Sequence, residues 1–351
     1  MASANQDHTP VHTKESDMKK LYMFRLLLLA GMITCSAASP PANFRTQSIN
    51  QESFEKVISG LPVTVRERLR ELMTSDTFCG VIPAEDALYI ARELEVTVHQ
   101  VMDVLRPLAR LYARPPISNY RVGAVSRGLS GNLYFGANVE FVGEALSFTV
   151  HAEQAATINA WVHGETELEA IDVGGAPCGY CLQFLNELAS APTLRIMDPP
   201  GPAVGLSDLL PVAFGPRNLG IEGGLMTADN HKLVLKEKSQ DKVVLAALRA
   251  ANMSYAPYSK GYAGAALSTK NGRIYIGPYA ENAAFNPSMS PMEAAIAHLN
   301  LCAESFSDIR KAVLVELTSS ISSQADASRS VLSAVAPEVE LTVIYARSAG
   351  D

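Results

Sequence analysis

Residues 118–140 read SNYRVGAVSRGLSGNLYFGANVE, and residues 259–281, displaced by 141 positions, read SKGYAGAALSTKNGRIYIGPYAE. Seven of the 23 paired positions are identical, and three of these are glycines, which commonly shape turns. This repetition without a gap predicts two related domains in tandem. A slip of one residue further along then places Glu153 opposite Glu293.

The sequence around the first stretch alternates between strand and helix patterns. Strands are predicted at 120–126, 133–139, 168–173 and 193–197, a turn at 128–132, and helices at 151–161 and 181–189. The order β-β-α-β-α-β predicts an α/β layered sheet with a parallel portion near the crossovers. Residues 51–115 show helical periodicity and predict a small all-α module before this sheet.

Two short motifs in the first domain carry chemistry: His151-Ala-Glu153 and Pro177-Cys178-Gly-Tyr-Cys181. One imidazole and two thiolates are three zinc ligands, and three protein ligands with an open fourth position are typical of a catalytic site. Both motifs open predicted helices, whose N-termini stabilise thiolates. Zinc lowers the pKa of a bound water to about 7. Glu153, not needed as a ligand, is the candidate proton shuttle.

Each motif has a simpler interpretation when it is taken alone. A Cys-x-x-Cys pair is more often a redox pair or half of a structural zinc site. The two motifs occur together, however, with 27 positions from His151 to Cys178 and a predicted helix and strand between them. His163 lies at the far end of the same helix and no other ligand is at suitable spacing. The combination therefore favours an open, catalytic zinc site.

The motif H-x-E…P-C-x-x-C is the signature of zinc-dependent nucleobase deaminases. The wider sequence resembles cytidine deaminases over about residues 50–351, most strongly in these segments: 118–124, 136–141, 151–156, 177–188 and 213–216. It is most similar to the long, homodimeric form, which has a small helical N-terminal part, a catalytic domain and a metal-free copy. The resemblance implies a three-layer α-β-α sheet in two tandem copies.

The resemblance also implies the reaction and the metal site. His151, Cys178 and Cys181 match the family's ligands for one zinc ion per chain, and Glu153 matches its proton shuttle. The implied reaction is the hydrolysis of cytidine or deoxycytidine to uridine or deoxyuridine and ammonia, in pyrimidine salvage.

Asn138 and Glu140 match the family's pair that hydrogen-bonds the ribose 3′-hydroxyl. A carboxylate and a carboxamide offer suitable acceptors and donors, and such a site rejects analogues that lack the hydroxyl. Glu140 would repel a phosphate, and no cationic clamp accompanies it, so a nucleoside is favoured over a nucleotide.

Four further positions match residues that surround the pyrimidine. The resemblance implies that Tyr120 packs on the ring and Phe214 helps to cover the site. The Ala152 N–H and the Ala176 carbonyl would read O2 and the 4-amino group. Without the family, Tyr120 and Phe214 would be interpreted as ordinary core aromatics.

The second copy lacks the metal chemistry. Opposite His151 lies Pro291 or Met292, and downstream only Cys302 remains, so the copy has no thiolate pair. It is therefore predicted to be structural, and the resemblance implies that it provides walls for the first site and forms part of a dimer interface. Fold maintenance or interface hydrogen bonds would explain why three residues persist there: Glu281, Asn282 and Glu293.

Composition limits the alternatives. The 351 residues carry 29 Lys and Arg against 36 Asp and Glu, a net charge of −7. This balance, without a groove rich in arginine and aromatic residues, argues against a polynucleotide deaminase and a stable nucleic-acid partner. A non-catalytic zinc-binding regulatory protein remains the other alternative.

The five cysteines are odd in number and too sparse for a disulfide scaffold. We therefore expect a reducing compartment, the cytoplasm, and interpret Cys79, Cys302 and Trp161 as buried packing. From Met18, a basic start, an apolar run and small residues resemble a targeting segment at 18–39. The uninterrupted apolar run at 26–33 is too short to span a membrane.

The predicted organisation follows from these patterns. Residues 1–50 form a disordered or targeting extension, 51–115 a helical N-terminal module and 116–217 the catalytic zinc domain. Residues 218–239 form a connector and 240–351 the degenerate second domain.

Overall fold

A computed structural model describes residues 49–197, 201–227 and 230–350. The targeting segment predicted at 18–39, with the rest of 1–48, lies outside these ranges. The helices are α1 (Gln51–Ile58), α2 (Val63–Thr74), α3 (Ala84–Glu93), α4 (Val98–Ala109), α5 (Ala152–Val162), α6 (Gly179–Leu185), α7 (Leu206–Leu209), α8 (Lys242–Met253), α9 (Pro291–Leu301) and α10 (Ala325–Val335). The strands are β1 (Val81–Ile82), β2 (Gly123–Gly128), β3 (Leu133–Ala137), β4 (Leu168–Asp172), β5 (Arg195–Met197), β6 (Val204–Gly205), β7 (Leu233–Leu235), β8 (Ala263–Thr269), β9 (Ile274–Pro278), β10 (Ile309–Leu317) and β11 (Leu341–Ser348).

The strands form two sheets, one for each copy of the repeat. Their orders are β1-β3-β2-β4-β5-β6 and β7-β11-β10-β8-β9. The pairs β4/β5 and β10/β11 are parallel and the other pairs are antiparallel. The predicted α/β class, with a parallel portion near the crossovers, is confirmed.

The periodicity predicted an all-α N-terminal module, but this segment also contains a short strand. Val81 and Ile82 form β1, which pairs antiparallel with Tyr134 and Leu133 of β3. This short strand covers an edge of the first sheet, which would otherwise expose unpaired backbone groups. A two-residue strand carries too little alternation to be recognised in a sequence.

Glycines of the repeat let helices approach both faces of each sheet. Gly123 pairs with Ala137, and the next residue, Ala124, pairs with Gly136, so the two glycines face opposite sides. A Cβ on Gly123 would overlap the backbone of Arg110, just after α4. A Cβ on Gly136 would overlap the backbone of α5. The first sheet therefore lies between two helical layers, as the three-layer prediction requires.

The second copy repeats this arrangement. A Cβ on Gly264 would overlap α8, and one on Gly277 would overlap α9. Gly131 and Gly272 instead have φ of +86° and +81°, so they are the turn glycines of the repeat. The repeated glycines thus have two different roles, only one of which concerns turns.

Replacing Gly136 by alanine should lower the free energy of unfolding by about 2–3 kcal/mol, because the added methyl group pushes α5 from the sheet. Gly350→Ala is the matched control, since a Cβ there meets nothing within 4 Å. Urea denaturation followed by circular dichroism measures both. Equal midpoints for the two variants would contradict this account of the helix–sheet contact.

The two copies pack through α5 and α9, and side chains connect them beside these helices. Arg114 Nε donates to Asn300 Oδ1 at 2.6 Å, and Asn300 Nδ2 donates to the Tyr112 carbonyl at 2.9 Å. The Arg114 guanidinium also lies 4.3 Å from the centre of the Phe306 ring. These hydrogen bonds join partly buried polar groups of the first copy to a side chain of the second, so they favour one specific arrangement of the two copies.

A disulfide joins Cys79 to Cys302, 223 positions apart. The interpretation of these cysteines as simple packing residues was therefore wrong. Their pairing depends on the contact between the N-terminal segment and the second copy, which no spacing in the sequence reveals. Trp161 is buried, as expected for packing. None of the described helices has the length and hydropathy needed to cross a membrane.

Candidate metal centre and active site

The ends of two helices place the three predicted ligands together. His151 is the N-cap residue of α5, and Cys178 is the N-cap residue of α6, with Cys181 in its first turn. The Gln154 side chain accepts a hydrogen bond from the His151 N–H at 3.0 Å and so closes the start of α5. Both N-termini therefore direct partial positive charge towards this centre.

The spacing of the three groups fits a zinc ion. His151 Nδ1 lies 3.3 Å from Cys181 Sγ and 3.6 Å from Cys178 Sγ. Tetrahedral zinc with Zn–N of about 2.0 Å and Zn–S of about 2.3 Å requires an N···S separation of about 3.5 Å. All three ligand atoms lie within 4.8 Å of one another. One nitrogen and two sulfurs also form a donor set that zinc prefers.

The two thiols have very different acidities. Hydrogen bonds from the Cys181 thiol and then from His151 lower the pKa of Cys178 to about 3. The hydrogen bond to Cys178 and burial raise the pKa of Cys181. A divalent cation held by both sulfurs would stabilise both groups as thiolates.

Glu153 lies in the first turn of α5, beside this group. Its side chain is buried and contacts the Cys181 thiol. Burial raises the pKa of Glu153 above its ordinary value, because the charged carboxylate loses solvation. The structure thus contains a carboxyl group next to the three ligands that is suited to accept and return a proton.

A side chain that the sequence analysis missed supports His151. The Tyr180 ring stacks on the His151 ring, with centroids 5.1 Å apart and planes at 30°. The Tyr180 hydroxyl donates to the Asn286 carbonyl of the second copy at 3.1 Å. Gln154 Nε2 reaches the neighbouring Pro287 carbonyl at 3.4 Å. A loop of the second copy therefore anchors two residues that position the metal ligand.

Removing the Tyr180 side chain should weaken zinc binding by about 10-fold, since residues that orient metal ligands typically contribute 10–100-fold to affinity. Tyr180→Phe keeps the ring on His151 and should stay within a few-fold of the wild type, whereas Tyr180→Ala loses the contact. Competition with a chromophoric chelator measures both affinities. Equal weakening in both variants would instead show that the hydroxyl bond to Asn286 is decisive.

Asn138 and Glu140 hold the segment that carries Tyr120. Asn138 Oδ1 accepts from the Val122 N–H at 2.9 Å, and Asn138 Nδ2 donates to the Tyr120 carbonyl at 3.0 Å. The sequence predicted a strand that starts at Tyr120. These contacts explain why β2 begins only at Gly123. Tyr120 is 70% exposed, so it is not a core aromatic.

Glu140 closes the turn that precedes Tyr120. Its carboxylate accepts hydrogen bonds from the N–H groups of Ile117 and Ser118, at 2.8 and 2.9 Å, and from the Ser118 hydroxyl. Partial burial acts to raise the pKa of Glu140, but these hydrogen bonds outweigh it and hold the pKa below its ordinary value. Glu140 is therefore a charged acceptor at neutral pH.

The other predicted site residues have mixed exposure. Phe214 is 47% exposed, and its carbonyl accepts from Gln183 Nε2 of α6 at 2.7 Å. The core interpretation of Phe214 is therefore wrong as well. Ala176 is exposed, two positions before Cys178, whereas Ala152 is the buried first residue of α5.

The structure corrects the alignment of the two copies at the metal site. Ser290 is the N-cap of α9, as His151 is of α5, so Ser290 replaces the histidine. Glu293 occupies the third helical position, which corresponds to Gln154 and not to Glu153. Glu293 accepts from the Ser290 N–H at 2.7 Å in a capping box. Its persistence therefore reflects helix capping.

The other two residues that persist also have structural roles. Glu281 accepts from the N–H groups of Tyr258 and Ser259, which repeats the turn held by Glu140. Asn282 Nδ2 donates to the Gln183 carbonyl of the first copy at 3.0 Å. These contacts are within one chain and fit the expected role in maintaining the fold, whereas hydrogen bonds at a dimer interface stay a prediction.

Buried Glu187 forms a further link between the copies. It accepts hydrogen bonds from the hydroxyls of Tyr255 and Tyr258 and from the Ala283 N–H.

Sequence patterns contained a signal for Gln154, which follows its N-cap by three residues as in a capping box. They contained none for Tyr180 or Glu187, whose contacts lie across the two copies.

Comparison with known proteins identifies the relationship. Residues 97–195 and 206–329 each match the family model for the cytidine and deoxycytidylate deaminase zinc-binding region. The chain is 40% identical over 291 residues to a protein named cytidine deaminase from Aliivibrio fischeri, covering 83% of this chain and 97% of the relative. It is 44% identical over 285 residues to one from Yersinia pestis, covering 81% and 96%.

A crystal structure of cytidine deaminase from Mycobacterium tuberculosis aligns with 33% of this chain and 96% of its own, at 31% identity and a TM-score of 0.31. The two family matches together cover well over half of the chain, and the full-length relatives extend the likeness across both copies. The first matched region contains β2, β3 and β4 of the first sheet, and the second contains β7, β8, β9 and β10 of the second sheet. This chain belongs to the cytidine and deoxycytidylate deaminase family.

Proposed function

We propose that this chain is a zinc-dependent cytidine and deoxycytidine deaminase, which converts each nucleoside and water to uridine or deoxyuridine and ammonia. The observation that carries the proposal is the convergence of His151, Cys178 and Cys181 at two helix N-termini, with buried Glu153 beside them. The relatives named cytidine deaminase, at 40–44% identity over most of the chain, support the same chemistry.

In this proposal the three ligands hold zinc and Glu153 moves protons. Zinc, when bound, would lower the pKa of a water that it holds to about 7. Glu153 would accept one proton of the water that adds to C4 of the pyrimidine and pass it to ring N3. It would then take the second proton, from the hydroxyl now on C4, and deliver it to the departing amine, which leaves as ammonia. The buried position of Glu153 keeps competing bulk water away from these transfers.

The remaining site residues are proposed to hold the nucleoside. Asn138 and Glu140 would bind the ribose 3′-hydroxyl, and exposed Tyr120 and Phe214 would cover the pyrimidine. The charged state of Glu140 supports the choice of a sugar hydroxyl over a phosphate as its partner. The Ala152 N–H and Ala176 carbonyl would read the edge of the base.

Turnover by the purified, zinc-loaded protein tests this function. Ammonia release and the ultraviolet change from cytosine to uracil should follow addition of cytidine or deoxycytidine, with much slower conversion of deoxycytidine monophosphate. Faster deamination of single-stranded DNA than of the free nucleosides would overturn the substrate assignment. Absence of any turnover in protein with one bound zinc would favour a regulatory homologue.

We also propose a homodimer, which the resemblance to the long deaminase form implies. Large apolar side chains are exposed around the site, including Tyr120, Phe214 and Phe285, and a partner could cover them. Light scattering should give about twice the chain mass of 37.6 kDa. A value equal to one chain would contradict the dimer.

The proposed location remains the cytoplasm. Among the described residues, Cys178 and Cys181 lie outside a disulfide and must stay reduced to bind metal, and in that compartment we expect the Cys79–Cys302 bridge to be reduced as well. Fractionation of cells that express the full chain tests the location. Recovery from an oxidising compartment, in a form shortened near residue 39, would contradict it.

A further inference from the structure

A second group of one histidine and two cysteines lies at the other end of the paired helices. Cys79, His298 and Cys302 each place a ligand atom within 4.8 Å of the other two. The catalytic group lies at the N-terminus of α5, whereas Cys302 is the C-cap of α9. The donor set is the same at both ends, although Cys79 and Cys302 are joined as a disulfide.

The backbone holds His298 as it would hold a metal ligand. Its Nδ1 lies 3.1 Å from the Ile276 carbonyl oxygen and 3.2 Å from the Ile276 nitrogen, so the backbone of β9 fixes the orientation of the ring. Metal-binding histidines are typically oriented by such a bond from their other ring nitrogen. In the first copy the equivalent position is Asn159, which donates to the Phe135 carbonyl at 3.1 Å. The imidazole is therefore not required for the backbone contact alone.

The position of the group also suits a cation. His298 and Cys302 are four residues apart, so they project from the same face of α9. The C-terminal end of a helix carries partial negative charge, which favours a bound cation. Cys302 is buried, whereas Cys79 and His298 are partly exposed.

We propose that reduction of the Cys79–Cys302 bridge converts this group into a second binding site for zinc or another thiophilic divalent cation. A dithiol reductant supplies two electrons and two protons, the S–S bond breaks, and the reductant leaves as its own disulfide. The two new thiols then release their protons as the cation binds both sulfurs and His298. Either state keeps the N-terminal segment attached to the second copy.

Metal content in the two redox states tests this site. The full chain is loaded with zinc after oxidation, or after anaerobic reduction by a phosphine, then desalted and analysed by atomic emission. We expect one zinc per chain when oxidised and two when reduced. His298→Asn, which can keep the backbone contact as Asn159 does, should hold one zinc in both states.

Cobalt provides a readout that does not depend on catalysis. In Cys178→Ala, which lacks a catalytic ligand, reduced protein should bind one Co²⁺ with intense sulfur-to-cobalt charge-transfer bands, and the oxidised protein should not. This result can hold even if the proposed deaminase activity fails. A reduced wild type with one zinc and two further reactive thiols would overturn the proposal. So would a second zinc that persists in His298→Asn, or a bridge that resists the reductant.

Discussion

Glu153→Ala should retain one catalytic zinc per chain and lose cytidine turnover by about 10³–10⁴-fold. The carboxyl lies beside the ligands without being one of them, so its removal leaves the metal-binding atoms in place. General acid–base groups contribute about 10²–10⁴-fold, and Glu153 is proposed to act in successive proton transfers. Zinc analysis and steady-state kinetics on the same preparation measure both effects.

The surface variant Glu67→Ala is the matched control, because this carboxylate is exposed and lies in α2, which contributes no residue to the site. It should match the wild type in zinc content and turnover. Turnover of Glu153→Ala near the wild-type rate would show that another group moves the protons. Loss of zinc from Glu153→Ala would show that this carboxylate contributes to metal binding.

Cys178→Ala should lose both the catalytic zinc and the turnover. One of three ligands disappears, and with it the thiol whose pKa the neighbouring Cys181 and His151 lower to about 3. We expect zinc affinity to fall more than 100-fold, beyond the effect of residues that only orient ligands. Chelator competition and activity assays measure the two losses.

Cys79→Ser is the matched control for this loss, since it removes a cysteine but leaves all three catalytic ligands. Under oxidising conditions it should keep one zinc and near wild-type turnover. Full activity of Cys178→Ala would contradict the ligand assignment. Only His151 and Cys181 would remain, and a catalytic zinc site typically needs three protein ligands.

Local patterns predicted most elements of the first sheet but not all of their ends. The helix predicted at 151–161 lies at 152–162, because His151 serves as its N-cap. The helix predicted at 181–189 instead runs from Gly179 to Leu185. It ends early because the chain beyond it pairs with a distant segment: the Glu187 carbonyl accepts from the Leu225 N–H at 2.7 Å. Such long-range competition leaves no mark on helical periodicity.

The metal ligands were accessible from the sequence because each motif is local and its chemistry depends on spacing. The contacts that support them were not, since they depend on how the two copies pack. Tyr180 meets Asn286 across that interface. The sequence comparison paired Glu153 with Glu293 because it allowed a slip of one residue, whereas the loop before α9 is two residues shorter than the loop before α5.

The loop after Asn282 connects the second copy to the metal centre of the first. A chain cut after residue 217 would keep every zinc ligand and Glu153, yet lose the two carbonyls that anchor Tyr180 and Gln154. We therefore expect a division of labour between the two halves, in which the first binds the metal and the second supports the residues that orient its ligands.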